Sequence, residues 1–158
     1  MPQIETPHFG LLEYTDDKVL DFPHGIPAFE VERRFLALER PETAPVIFLQ
    51  SLSRAELVFM TLPVSLVEPG YRGAMSPEDL EALGLQADRQ PEEGREVLTL
   101  VLITVDEHRQ ATANLMAPVV VNLATRRAVQ SVQPGSGYSP RHPLPGGCGA
   151  ERQEAEPQ

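Results

Sequence analysis

The chain has 158 residues, a formal net charge of −10 and a pI near 4.8, which suits one domain with a real core. That acidity argues against a nucleic-acid binder, which carries a basic patch or stripe, and the absence of tryptophan weakens the case further for a groove that stacks bases. The longest apolar run, Val97 to Val105, is about half of the roughly 20 residues a membrane-spanning helix needs. Cys148 is the only cysteine and has no internal disulfide partner, as in a reducing compartment. No basic region followed by an apolar run opens the chain, so the sequence predicts a soluble, cytoplasmic protein. Charge is unevenly placed: residues 1–96 hold 18 acidic against 8 basic side chains, and residues 97–144 hold 2 against 4. The pattern predicts two electrostatic faces.

Taken in order, Ile4 to Tyr14 reads as two short strands bent at Gly10, and Tyr14 to Lys18 as a turn built on aspartate side chains. Val19 to Phe22 makes the next strand. Phe22 to Glu30 holds two prolines and a glycine within five residues, which excludes regular helix and central strand. Phe22, Ile26 and Phe29 nonetheless anchor it, giving a stiff loop that either seals the core or presents a preorganised contact. Arg34 to Glu39 suits a strand. Val46 to Leu52 and Leu57 to Leu62 form a hairpin around Ser53 to Glu56, and Pro63 limits its second strand. Ser76 to Gly84 is the one clear helix signal: Ser76 at the cap, Pro77 at the first helical position, acids in the first turn and Gly84 at the exit. Asp79, three residues after Ser76, imitates a capping box. Gln86 to Glu96 is polar loop. Val97 to Val105 is apolar on both alternating faces and belongs at the centre of the fold. Arg126 to Val132 is a last strand, and Pro145 onward reads as disordered.

The stretch that organises the chain is Thr112 to Asn122. Pro118 cannot donate to a ladder and belongs at a strand start or bulge. Val119 to Val121 follow as a short buried strand between two turn-forming asparagines. No nucleophile, metal ligand or phosphate loop occurs in it, so it reads as a rigid backbone surface presented to something. The four histidines have no metal-ligand spacing, and neither a nucleophile elbow nor a dinucleotide fingerprint is present. Catalytic, cofactor and metal residues are therefore assigned to none.

Four blocks together resemble the flagellar assembly factor FliW family. They are Phe22-Pro23-x-Gly25-Ile26-Pro27-Ala28-Phe29-Glu30, Thr112-Ala113-Asn114-Leu115-x-Ala117-Pro118-Val119-Val120-Val121-Asn122, Arg127 with Gln130, and Tyr138-Ser139-x-Arg141-His142-Pro143-Leu144. Their order and spacing match over about residues 2–144; Ala28, in a place where the family pattern has glycine, and Pro140 depart from it. The resemblance implies an all-β fold, a small barrel or roll of mostly antiparallel strands with one short helix at about 76–84, in a single domain over 1–144 with a tail at 145–158. It implies a non-enzymatic, monomeric cytoplasmic protein that binds flagellin and the translational repressor CsrA, antagonising the repressor allosterically, and that touches neither nucleic acid nor membrane. Partner contacts are expected at Asn114, Leu115, Ala117, Pro118 and Asn122, then at Phe22, Pro23, Phe29, Tyr138, Arg141 and His142, with acidic residues of 78–96 towards the repressor. An exposed, partly apolar 114–118 surface is part of that expectation, with Leu115→Asp leaving the thermal midpoint unchanged. The other readings are a generic β-barrel adaptor and an enzyme built on Arg141 and His142.

Overall fold

The computed structural model of the chain describes residues 2–27, 29–133 and 135–144; the tail expected at 145–158 and the departure at Ala28 lie outside them. The first two strands, β1 (Gln3–Thr6) and β2 (Gly10–Glu13), pair as an antiparallel hairpin separate from the main sheet. The rest is one antiparallel sheet. It is built from β3 (Val19–Asp21), β4 (Arg34–Glu39), β5 (Ile47–Ser51), β6 (Val58–Pro63), β7 (Val97–Val105), β8 (Ala111–Ala113), β9 (Val119–Asn122), β10 (Ala128–Gln130) and β11 (His142–Pro143). Its order runs β10-β9-β7-β6-β5-β4-β3, with β8 also on β7 and β11 on β8.

The nine-residue β7 is the central strand its two-faced hydrophobicity predicts. One edge meets β6 over Leu100 to Ile103. The other edge is shared: β9 runs beside Val97 to Leu100, and β8 beside Ile103 to Val105. Residues 114–118 bridge the gap between these two partners, so the organising stretch marks where one sheet edge changes hands.

The sheet curls until its end strands almost meet. Asp21 forms one parallel bridge with Arg127, and its N–H donates to the Arg126 carbonyl at 2.9 Å. With this one bridge across the seam among the described residues, the fold is a roll and not a closed barrel. Inside it, Leu20, Phe22, Phe35, Leu49, Leu100 and Val119 fill the main core, with the Phe22 and Phe35 rings edge-to-face at 5.3 Å, a favoured aromatic geometry. The stiff loop after Phe22 closes on itself, because Gly25 (φ +70°) lies against the Glu30 backbone where a Cβ would come within 2.4 Å. A non-glycine residue there would clash and also occupy a left-handed conformation.

Helix α2 (Pro77–Ala82) forms where the sequence predicts, with the Asp79 N–H donating to Ser76 Oγ at 3.1 Å and Gly84 at φ +79°. Its leucines, Leu80 and Leu83, are fully buried against Val97, Val120 and Val129, as a helix this short requires. The capping box is half formed: the Asp79 carboxylate accepts from Ser131 Oγ at 2.9 Å, tying the helix to the chain beyond β10. A second helical turn, α1 (Val64–Val67), was not expected; Pro63 ends β6 and serves as its N-cap. The strand expected over Arg126 to Val132 is shorter, Ala128–Gln130. Arg126 and Arg127 sit in the β9–β10 turn, because Asn122 closes that turn first. The last strand among the described residues, β11, is a two-residue pair with β8.

Candidate functional site

The organising stretch is an internal frame. Asn114 Oδ1 accepts from the N–H groups of Met116 and Ala117 at 3.1 and 3.0 Å, an asparagine-capped turn that reverses the chain after β8. The carbonyls that follow all have partners. Leu115 C=O accepts from the Tyr71 hydroxyl at 2.8 Å, Met116 C=O from Gln133 N–H at 2.8 Å, Ala117 C=O from Gln130 Nε2 at 3.0 Å and Pro118 C=O from Ser131 N–H at 2.8 Å. An irregular segment this deep stays in place because its buried polar groups are satisfied.

The expected exposed 114–118 surface is therefore corrected. Leu115 is 1 % exposed and packs with Leu62, Val101, Ile103 and Ala113; Ala117 and Pro118 are buried, and Asn114 is half-buried. Asn122, also buried, is a cap: Nδ2 donates to the Leu83 carbonyl at 2.8 Å, at the end of α2, while Oδ1 accepts from Ala124 and Thr125 N–H. Phe22 is core; Phe29 is half-buried against Phe59, with ring centroids 5.6 Å apart. Pro23 is half-buried and Arg141 exposed. His142, half-buried, faces Ala113 across the β8–β11 pair. Arg141 and His142 are not brought to the cleft described next.

That cleft lies beside the frame. About 280 Å³ in volume, it has an apolar floor of Val64, Met75, Val97, Pro118 and Val120, and a rim that includes Tyr71, Arg72, Gln90, Glu93 and Gln133. Pro118 is the member of the expected set that reaches it. Glu93 is pinned to the rim by its carboxylate, which accepts from Thr99 N–H at 2.7 Å and from Thr99 Oγ1 at 2.5 Å. Residues 69–75, between α1 and α2, cross one side. Arg72 N–H donates to the Tyr138 hydroxyl at 2.9 Å, Ala74 N–H to Gln133 Oε1 at 3.2 Å, and the Gln90 amide bonds both the N–H and the C=O of Met75. The rings of Tyr71 and Tyr138 stack, tilted, at 4.5 Å. Tyr138 thus joins the closing segment to this crossing segment.

Electrostatics at the site are modest. Burial, helped by neighbouring Tyr138, pushes the Tyr71 hydroxyl up to about 12, so it remains a neutral donor to Leu115. On the acidic loop behind the rim, Arg89 grips Glu96 with two bonds, Nη1 to Oε1 at 3.1 Å and Nη2 to Oε2 at 2.6 Å. That grip, then the Glu92 N–H, holds Glu96 down at about 2. Glu78, Glu81 and Asp88 stand exposed nearby in sequence, giving this flank its negative character. No group of three or more histidine, cysteine or carboxylate side chains fit for a metal occurs among the described residues, and no helix among them is long and apolar enough to cross a membrane.

Sequence reasoning missed Tyr71, Arg72, Gln90 and Gln133. The available signal was Tyr71 itself, an aromatic between Pro69-Gly70 and Gly73 in an otherwise turn-like stretch, which marks an anchor in an irregular segment.

Comparisons agree with this architecture. The family model described as FliW protein matches residues 3–144. The flagellar assembly factor FliW of Natranaerobius thermophilus is 34% identical over 142 residues, 90% of this chain and 91% of its own. That of Syntrophomonas wolfei is 33% identical over 136 residues, 85% and 83% of the two chains. A crystal structure of the flagellar assembly factor FliW superimposes with a TM-score of 0.76 at 29% identity, covering 90% of this chain and 96% of that one. The chain belongs to the FliW protein family.

Proposed function

We propose that this protein is a flagellar assembly factor that acts in the cytoplasm by holding flagellin and, when flagellin is absent, by antagonising the translational repressor CsrA allosterically. The observation that carries this reading is the family match across residues 3–144, which takes in all four blocks. In this reading the protein exchanges partners and catalyses nothing. Flagellin occupies the cleft rimmed by Arg72 and Gln133, whose apolar floor offers burial to side chains of an incoming chain. Asn114, Leu115, Ala117 and Pro118 support it from behind, with Pro118 alone of these in its floor. The acidic flank around residues 78–96 faces the repressor, because a basic RNA-binding protein is steered towards negative potential.

Calorimetric titration tests the exchange. One-to-one binding of flagellin, followed by loss of CsrA binding in its presence, supports the proposal. Binding of both proteins at once with unchanged affinities would remove the exchange, and silence towards both well-folded partners would remove the function.

A further inference from the structure

We propose that residues 69–75 are a hinged lid over the apolar cleft, and that Tyr138 is its latch. The proposal deepens the assigned cleft by giving it a regulated opening, and so rests on the cleft but not on the identity of what enters it. Three observations converge. First, the bonds fastening Arg72, Ala74 and Met75 to the body all run to side chains: Tyr138, Gln133 and Gln90. The sheet beneath is held by continuous backbone ladders, which must break together before any strand leaves. A segment fastened one side chain at a time opens locally at a small fraction of the global cost.

Second, the ends of the segment are built to swing. Pro69-Gly70 follows α1, and Ser76 caps α2. At Gly73 in the middle the packing is close, since a Cβ would come within 2.8 Å of the Tyr71 ring and 3.1 Å of Gln133 Nε2. The lid therefore lies closely on Gln133. Third, opening has something to uncover. Val64, Val97, Pro118 and Val120 form a buried apolar floor beside the segment, and Tyr71 hydrogen-bonds the Leu115 carbonyl. Lifting the lid widens the cleft and frees that carbonyl.

The latch also links two surfaces. Tyr138 stands in the closing segment, where Tyr138 N–H bonds Ser136 Oγ and Ser139 C=O accepts from Leu115 N–H at 3.0 Å. A partner that draws residues 136–139 outward pulls the hydroxyl from Arg72 and raises the population of the open cleft. Contact at one surface is thereby read at another through a two-position element.

Amide hydrogen exchange of the full chain, followed by NMR, tests this with two variants of opposite sign. Tyr138→Phe keeps the ring stack and removes the acceptor of Arg72 N–H. Exchange at Arg72, Ala74 and Met75 should quicken roughly two- to tenfold, the worth of one net hydrogen bond, while Val101 and Leu102 in β7 stay unchanged. Gly70→Ala adds a Cβ with no neighbour closer than 4.0 Å and stiffens the hinge, so the same amides should slow about two- to fivefold. The lid is overturned if these amides exchange in the wild type only as fast as β7, or if both variants shift the lid and the sheet together. Because no partner is added, failure here leaves the flagellin reading standing, and failure of that reading leaves the lid.

Discussion

Residues 112–122 and residues 69–75 lie against each other, yet they are secured by opposite means. The first is locked into the body of the fold: Asn114 caps its own turn, four successive carbonyls are paired, and Leu115 is sunk in a core. The second hangs on tyrosine and glutamine side chains and borders the apolar cleft. The segment with the more recognisable sequence is thus the frame, and the plainer one is the moving, accessible side. A motif with two asparagines, a proline and three valines looks like a presented surface because its geometry is unusual. That same geometry serves to let β7 change partners from β8 to β9.

The sharpest break in this comparison comes from Leu115. Leu115→Asp should cost at least the ~2–5 kcal/mol of truncating a buried leucine, with the carboxylate's desolvation in addition, and urea unfolding would register it as a collapse of the midpoint. Next is Asn122→Ala, which strips the Leu83 carbonyl and two turn N–H groups of their partner. A loss of about 1–3 kcal/mol follows from leaving the buried Leu83 carbonyl unpaired, read in the same unfolding experiment.

On the lid side, effects are smaller. Tyr71→Phe removes one hydrogen bond to Leu115 and should cost about 1 kcal/mol. It also changes the alkaline limb. The folded hydroxyl titrates near 12 against an ordinary value of 10.0, so between those pH values the native state keeps a proton that the unfolded chain has lost. Stability from this group is full below pH 10 and declines as pH rises towards 12; the variant should lack that part of the decline when unfolding is followed across the window. The smallest effect belongs to Arg126, a non-glycine residue at φ +66° in the β9–β10 turn. Arg126→Gly relieves a left-handed conformation while adding backbone freedom to the unfolded chain, for a net gain of about 0.5 kcal/mol seen as a small rise in Tm.

Much of the fold was legible because its signals are local. Val97 to Val105 announced a strand covered on both faces, Ser76-Pro77 announced a helix start, and Gly84 its end. Arg126 and Arg127 misled because strand propensity was read without the turn that Asn122 imposes. α1 escaped because four residues carry no period, and its cap, Pro63, signals only a stop. The site was less legible. Burial of Leu115 depends on β6, β7 and β8 converging on it, a contact no spacing along the chain reveals. The cleft draws its wall from residues as far apart as Val64 and Gln133, so only the curled sheet brings them together. Tyr138 and Leu144 pack on the Leu115 cluster, since an aromatic and a leucine in a Pro/Gly-rich segment have few other ways to be held.

The most direct test of the account is a calorimetric titration of flagellin into Arg72→Glu beside the wild type. Arg72 is exposed on the cleft rim and its backbone bond to Tyr138 survives the change, so the urea midpoint should stay within about 0.5 kcal/mol, as for other surface substitutions. The account predicts that affinity falls about tenfold or more, as expected for reversing a charge at a contact. Wild-type affinity in a well-folded Arg72→Glu protein would contradict the placement of the flagellin surface at this cleft.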